Sequence, residues 1–533
     1  MMVLLWLLCW IFPFLAFGAQ VSEQDLRKAA PPDWLTYSGS YSSQRYSLLK
    51  QITTANVKAL TPAWIFHVPD EERLESVPIV VNGTMYVTKP REVYALDGRS
   101  GRMIWSYRYP SGHGQCANRG VAVYGDRVYF NTPDAFLVAL EARSGNLLWK
   151  SKIAEAKEGY TAPAAPLAVN GKIVTGVAPG DNGMNGLLAA FDATTGKQIW
   201  RWSAIPKPGE PGHDTWAGDS WKTGGGDTWL TGSYDPQLNL IYWGIGNPAP
   251  DYNGDQRAGD NLYTECMVAL DADTGQLKWY FQFTPHDTSD WDAVEIPVLV
   301  NSRFHGVMRK LLVQANRNGF YYLLDRTSGK FLMGRQFTPQ LNWATGLTEG
   351  GRPIRVPGVR PSLQGTKVCP SAAGATNWMS PTYSPETGYF YLEALDGCDV
   401  EFKATEKFRP GGFPFDGTGG TESPDAPWQT YVRALDLTTG DLQWEYKLIG
   451  AHDYGAGLLA TAGGLLFAGS PQGSFISFEA KTGTVLWHFN TGQQITASPM
   501  TYGFNGKQYV AVSAGSDVIA FALPDSYLSG VAH

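Results

Sequence analysis

Three stretches of the chain place acids, amides and an arginine beside apolar runs. The first, Asp214 to Asp271, is dense in Trp, Gly, Asp and Asn and contains GGGDTWLTGSYDP and GIGNPAPDYN. The second is FQFTPHDTSDWDAVEIPVL, Phe281 to Leu299, and the third is LLVQANRNGFYYLLDR, Leu311 to Arg326. Carboxylates in such places can take up protons, and carboxylate and amide oxygens together suit a hard cation. Each stretch also has a plainer reading, with Asp287 and Asp290 as turn residues and Arg317-Asn318-Gly319 as a hairpin turn.

The elements that must position these residues are written in a repeat. ALDADTGQLKW (Ala269 to Trp279) recurs as ALDGRSGRMIW (Ala95 to Trp105), ALEARSGNLLW (Ala139 to Trp149), AFDATTGKQIW (Ala190 to Trp200) and ALDLTTGDLQW (Ala434 to Trp444). Looser copies are SFEAKTGTVLW (Ser477 to Trp487) and LLDRTSGKFLM (Leu323 to Met333), and Trp64 after LTPAW supplies an eighth. Period-two alternation on either side of Asp, Thr or Ser and Gly predicts a β-hairpin with the Trp at a fixed place on the outgoing strand. Asn-Gly turns at Asn82-Gly83, Asn170-Gly171 and Asn505-Gly506 predict further hairpins, so that each unit supplies four strands. Repeated four-stranded sheets sealed by one large ring each predict an all-β, eight-bladed propeller with tryptophan-docking repeats.

The repeat is interrupted twice, from Trp200 to Trp279 and from Met333 to Trp444. Connections between strands sit on the faces of a propeller, and function concentrates in such loops. Met333, where the other copies have Trp, is expected to pack against the long loop after it instead of a regular blade.

Composition narrows the function classes. A net charge of −7 and a pI near 5.7 argue against nucleic acid or an anionic membrane as the main partner and suit a basic protein partner. Residues 1–18 read as an export signal, with an uncleaved membrane anchor as the alternative, and residues 19–533 as one propeller domain. A short helix capped by Ser22 is expected before Pro31-Pro32. Cys369 and Cys398 bracket a strand pair and can join in an oxidising compartment, whereas Cys116 and Cys266 lack an evident partner. The chain contains no CxxCH, so it carries no c-type haem attachment site of its own.

GGGDTWLTGSYDP, GIGNPAPDYN, TPHDTSDWDAV, ANRNGFYYLLDR and CPSAAGATNW, in this order and with the repeats, resemble the quinoprotein alcohol dehydrogenases. These are eight-bladed propellers that bind pyrroloquinoline quinone (PQQ) and calcium, and the resemblance runs from about residue 31 to the C-terminus. It implies that Asp292 is the general base for the alcohol proton, that the quinone lies on Trp229, and that Arg317 bonds its reactive carbonyl. By the same resemblance Asp181, Asn247 and Asp292 are the calcium ligands, and Glu75, Arg119 and Asn377 are polar contacts to PQQ. Cys369 and Cys398 match the family's structural disulfide.

The chain departs from the family at several points. GHGQCANRG holds the single Cys116 in a shortened loop where the family has two adjacent cysteines over PQQ, so something else must cover the cofactor. Asp181 stands for the usual glutamate, Pro163, Ala178 and Pro179 replace usual cofactor contacts, and the family's late tryptophan is missing. Lanthanide-type relatives carry a second Asp two positions after the base; Val294 occupies that position and favours calcium. The expectation is an exported, periplasmic alcohol dehydrogenase using PQQ and calcium and passing electrons to a separate acceptor such as cytochrome c. Beside it stand a PQQ-dependent sugar or polyol dehydrogenase and a non-catalytic propeller scaffold.

Overall fold

The computed structural model describes residues 20–110, 116–450 and 454–528. The export segment and part of the shortened loop before Cys116 lie outside them. Every repeat forms the hairpin its pattern predicts. In each, the small or apolar residue before the turn pairs with the terminal residue, as in Ala269 with Trp279 and Ala95 with Trp105, and the register shifts immediately afterwards. The turn needs its glycine twice over: Gly275 has φ +70°, and a Cβ there would lie 2.6 Å from the ring of Trp200. The repeat glycine of one blade is thus the seat for the tryptophan of the blade before it.

Seven four-stranded sheets and one of five strands follow in chain order. The ring closes where Thr61–His67, near the start of the chain, pairs with Asp517–Ala522 near its end. Asn82, Asn170 and Asn505 all have positive φ with their glycines, as the Asn-Gly hairpins require. Glu23–Lys28 is the expected helix, with Ser22 and Asp25 forming a reciprocal capping box.

In five of the repeats docking between blades goes through one carbonyl, that of the residue after the acid, whereas Trp487 donates to the Leu60 carbonyl and, among the described residues, the Trp149 indole N–H has no partner. Trp64, Trp105, Trp200, Trp279 and Trp444 donate their indole N–H to the carbonyls of Gly98, Ala142, Ala272, Arg326 and Ala480 at 2.9–3.1 Å. A tyrosine on the second strand of a blade aims at the same atom: Tyr86 at Ala142, Tyr242 at Arg326 and Tyr391 at Ala480. In the blade of Met333 a tyrosine on the third strand, Tyr321, seals the joint and corrects the expectation for Met333. Met333 does not leave the blade stack for the inserted loop; it borders an apolar cluster containing Tyr321, Phe390, Leu435 and Leu437. Tyr321 takes over the missing indole's bond, its hydroxyl donating to the Leu437 carbonyl at 2.7 Å.

A segment before the ring, Trp34 to Ser47, lies across the inner strands. Backbone and side-chain bonds join it to Val80, Ala168, Ser233, Leu299, Tyr383 and Leu458. Arg45 is fully buried in it and donates to the carbonyls of Tyr37, Leu458 and Pro499 at 2.5–3.0 Å. The long interruption after Met333 builds two small sheets of its own, one from Ala344–Leu347 with Pro353–Arg355 and one from Thr366–Val368, Asp399–Lys403 and Thr418–Glu422. Among the described residues no helix is long and apolar enough to cross a membrane.

Candidate active site

In an antiparallel blade the start of the first strand and the end of the second lie at the same edge, so residues there converge on one rim of the ring. Glu75, Arg119, Trp229, Asp292 and Asn377 come just before the first strands beginning at Ile79, Ala122, Ser233, Val298 and Thr382. Asp181, Asn247 and Arg317 come just after second strands ending at Gly176, Gly244 and Ala315. The topology therefore brings these eight residues to one rim of the ring.

Asp292 stands at the centre of this set and is 5% exposed. Its Oδ2 accepts the indole N–H of Trp229 at 2.9 Å and an Arg317 guanidinium N–H at 2.9 Å, and its Oδ1 accepts the Asn247 backbone N–H at 2.7 Å. Each carboxylate oxygen has two lone pairs, so room remains for a proton. Gly246 permits the approach, since a Cβ there would lie 2.2 Å from the Asp292 Oδ1. Arg317 also donates to the Asp290 carbonyl at 2.9 Å, and the surrounding Asp292 and Asp290 charges hold its guanidinium protonated against burial.

Trp229 carries two cations. The guanidinium of Arg119 lies 4.7 Å from its ring centroid and that of Arg317 lies 6.0 Å from it. Arg119 is in turn paired with Glu75 at 2.7 Å, and Arg73 approaches the other Glu75 oxygen at 3.6 Å. A cavity of about 930 Å³ opens beside them, lined by Glu75, Arg73, Lys89, Cys116 and Asn118 among others. Asn377 is less committed to the centre: its amide donates to the Ala373 carbonyl and accepts from the Trp378 N–H within its own loop.

Asp181 lies on a 3-10 turn, Gly180–Asn182. It is exposed by area yet densely surrounded by protein, and this crowding, with the charges of Asp292 and Asp416, raises its carboxyl to about 6. The turn is anchored by Asp227, which accepts the Gly180 N–H at 2.5 Å and whose own carboxyl is raised by burial and by Asp181 and Asp292. Among the described residues no group of three His, Cys, Asp or Glu side chains forms a metal cluster. The candidate ligands are two carboxylates and an amide.

The disulfide Cys369–Cys398 is formed, and Cys116 and Cys266 are free. Two residues after Cys369, the Ser371 carbonyl accepts the indole N–H of Trp291, so the disulfide-closed insertion supports the residue beside Asp292. Val294 is buried in an apolar cluster with Leu230 and Ile296 and offers no oxygen where lanthanide-type relatives have a second Asp. Over the Asp181 turn lies the segment 404–417, whose Phe415 N–H bonds the Asp181 carbonyl at 2.6 Å and whose Phe408 and Phe415 rings pack on Gly183. Motif reading did not single out Asp227, Glu295 or this segment; Asp227 lies inside the quoted GGGDTW motif, and the density of acids was its signal.

Several site residues hold buried polar atoms without a protein partner: Arg119 Nε, Arg317 Nε and the Asn247 amide nitrogen. Unpartnered donors around an aromatic face that already attracts two guanidinia fit a flat, acceptor-rich anion such as PQQ. Turned over, the Asn247 amide presents its oxygen, and Asp292 and Asp181 add the hard oxygens that a calcium ion takes.

Comparison with known proteins bears on this geometry. Residues 34–340 and 449–510 match the PQQ family model described as glucose/ethanol/alcohol dehydrogenase, beta-propeller domain. The chain is 39% identical to the quinoprotein alcohol dehydrogenase PedH of Pseudomonas putida, over 94% of this chain and 89% of that one. The crystal structure of the quinohemoprotein alcohol dehydrogenase of Comamonas testosteroni superposes with a TM-score of 0.89 at 32% identity, covering 94% of this chain and 82% of that one. A europium-containing methanol dehydrogenase superposes with a TM-score of 0.85 at 31% identity, covering 94% and 100%. With its ring, its disulfide and its tryptophan-floored rim, the chain belongs to the PQQ-dependent quinoprotein alcohol dehydrogenases.

Proposed function

We propose that the protein oxidises an alcohol to an aldehyde with calcium as the second cofactor and Asp292 as the general base. The observation that supports this best is the Asp292 carboxylate, bonded at once by Trp229, Arg317 and the Asn247 backbone on the rim of the ring. Trp229, Arg119 and Arg317 would hold PQQ, which when bound would supply the hydride acceptor, and a calcium ion would supply a Lewis acid beside it. Asp292 takes the hydroxyl proton on a free lone pair. Arg317 keeps that carboxylate oriented and directs positive charge over the Trp229 ring. Arg119, paired with Glu75, stands over the Trp229 ring, and Asp181, Asn247 and Asp292 would offer oxygens to the ion. The aromatic segment 404–417 borders the Asp181 turn through the Phe415 N–H and the rings beside Gly183.

Export to the periplasm is supported by the apolar residues 1–18 and by the disulfide, with residues 19–533 acting as one domain. The acidic net charge suits a basic electron acceptor such as cytochrome c. The test is dye-linked oxidation by protein reconstituted with PQQ, with and without calcium, comparing ethanol and glucose at equal concentration. Calcium-dependent turnover of ethanol is expected. Preference for glucose moves the reading to a sugar dehydrogenase, and no turnover of either substrate removes the proposed chemistry.

A further inference from the structure

Glu295 follows Asp292 by three residues, is 3% exposed, and turns its carboxylate into the hairpin that carries Arg317. Its Oε1 accepts the backbone N–H of Arg317 at 3.1 Å, and its Oε2 accepts Gln314 Nε2 at 2.9 Å with Asn316 Nδ2 at 3.5 Å. The same Gln314 amide donates to the carbonyl of Ala293 at 3.0 Å. Residues 293–295 and 314–317 are thus sewn together through one carboxylate, with the Asp292–Arg317 pair at the free edge of the seam. Charge matters in this seam as well as shape. Arg317 Nε has no hydrogen-bond partner, and the Glu295 Oε1 lies 4.0 Å from it.

A buried carboxylate is costly to keep where an apolar or amide side chain would fill the same space. Burial raises the Glu295 carboxyl, and the Arg317 charge beside it pulls it back toward the ionised form. Retaining an acid here makes sense if its task is to hold a cation. We propose that Glu295 is a positioning residue for alcohol oxidation: it fixes Arg317, through the backbone N–H and the guanidinium, in the place from which Arg317 orients Asp292. The inference rests on reading Asp292 and Arg317 as the reacting pair. Small losses of such alignment are expensive, because the proton acceptor and hydride acceptor must be addressed in one geometry.

The test uses PQQ- and calcium-loaded protein carrying Glu295→Ala, Glu295→Gln or Glu295→Asp, beside Asp292→Asn. Turnover, KM for the alcohol, thermal unfolding and PQQ affinity of the apoprotein, read by quenching of tryptophan fluorescence, are measured on each. Glu295→Ala is expected to lower kcat on the order of tenfold to a hundredfold with little change in KM, the range seen when a supporting partner is removed. PQQ affinity should fall with it, because Arg317 stands over the Trp229 ring. Glu295→Gln keeps an acceptor for the Arg317 N–H but no charge beside its guanidinium, and should recover only part of the loss. Wild-type kcat and PQQ affinity in the folded fraction of Glu295→Ala, even with a lowered melting temperature, would make the residue structural only and overturn the proposal. Should Glu295→Ala fail to fold, wild-type kcat in both Glu295→Gln and Glu295→Asp overturns it equally. Full turnover in Asp292→Asn instead refutes the reading of the reacting pair itself.

Discussion

Crowding by protein and the charges of Asp292 and Asp416 raise the Asp181 carboxyl from its ordinary value of 3.8 to about 6. A carboxyl that holds its proton more tightly in the folded state makes folding take up protons. Its contribution therefore favours the folded apoprotein at low pH and is lost as pH rises from 3.8 through about 6. Asp181→Asn removes this titration. The difference in melting temperature between wild-type apoprotein and Asp181→Asn should move against the wild type across that window, and added calcium should reverse it above pH 6 by binding the ionised carboxylate. A difference that is flat with pH and indifferent to calcium would place Asp181 outside the ion site. Asp292, Arg317, Trp229 and Asn247 were legible in the sequence because each lies in a distinctive motif. Glu295 was not, since one acid inside AVEIPVL looks like ordinary strand alternation, and Asp227 acquires its role only through a bond to Gly180 from a different connection.

At the scale of elements, the tryptophan repeat states only half of the seal between blades. The other half is a tyrosine on the second strand, which lies outside the repeated sentence and whose spacing to the Trp varies with the insertions. Where both residues are present, the carbonyl they share keeps one donor when the other is removed. Among the described residues the Leu437 carbonyl receives one side chain, Tyr321 from the third strand of its blade, because Met333 replaces the indole. Tyr321→Phe should therefore cost about 1–3 kcal/mol, the penalty for a buried acceptor left unsatisfied, whereas Tyr86→Phe should cost about 1 kcal/mol or less, since Trp105 still reaches Ala142. Urea denaturation of the two variants compares them directly, and equal losses would mean that the tyrosine hydroxyls do not carry the docking. The expectation for Met333 failed for a related reason: loss of an indole looks like loss of a docking site until the neighbouring strand is seen to supply one.

For the whole molecule, the ring was readable because its repeat is local, with acid, glycine and tryptophan all within one hairpin. Its closure and its crossing segment were less so, since both join residues far apart in the chain. Thr61–His67 meets Asp517–Ala522, and Arg45 ties Tyr37 to Leu458 and Pro499 through three carbonyls. What the closed ring provides for function is convergence: eight equivalent edges at one rim, of which several carry charged or aromatic side chains around Asp292. Alcohol oxidation depends most on that carboxylate. Asp292→Asn, loaded with PQQ and calcium and compared with wild type for alcohol-dependent dye reduction, tests it most directly. The variant should still bind PQQ, with a lowered melting temperature because Arg317 loses its charge partner, while kcat falls about 10²- to 10⁴-fold, the range for removing a general base. Turnover within a few-fold of wild type in a variant that still binds PQQ would contradict the account.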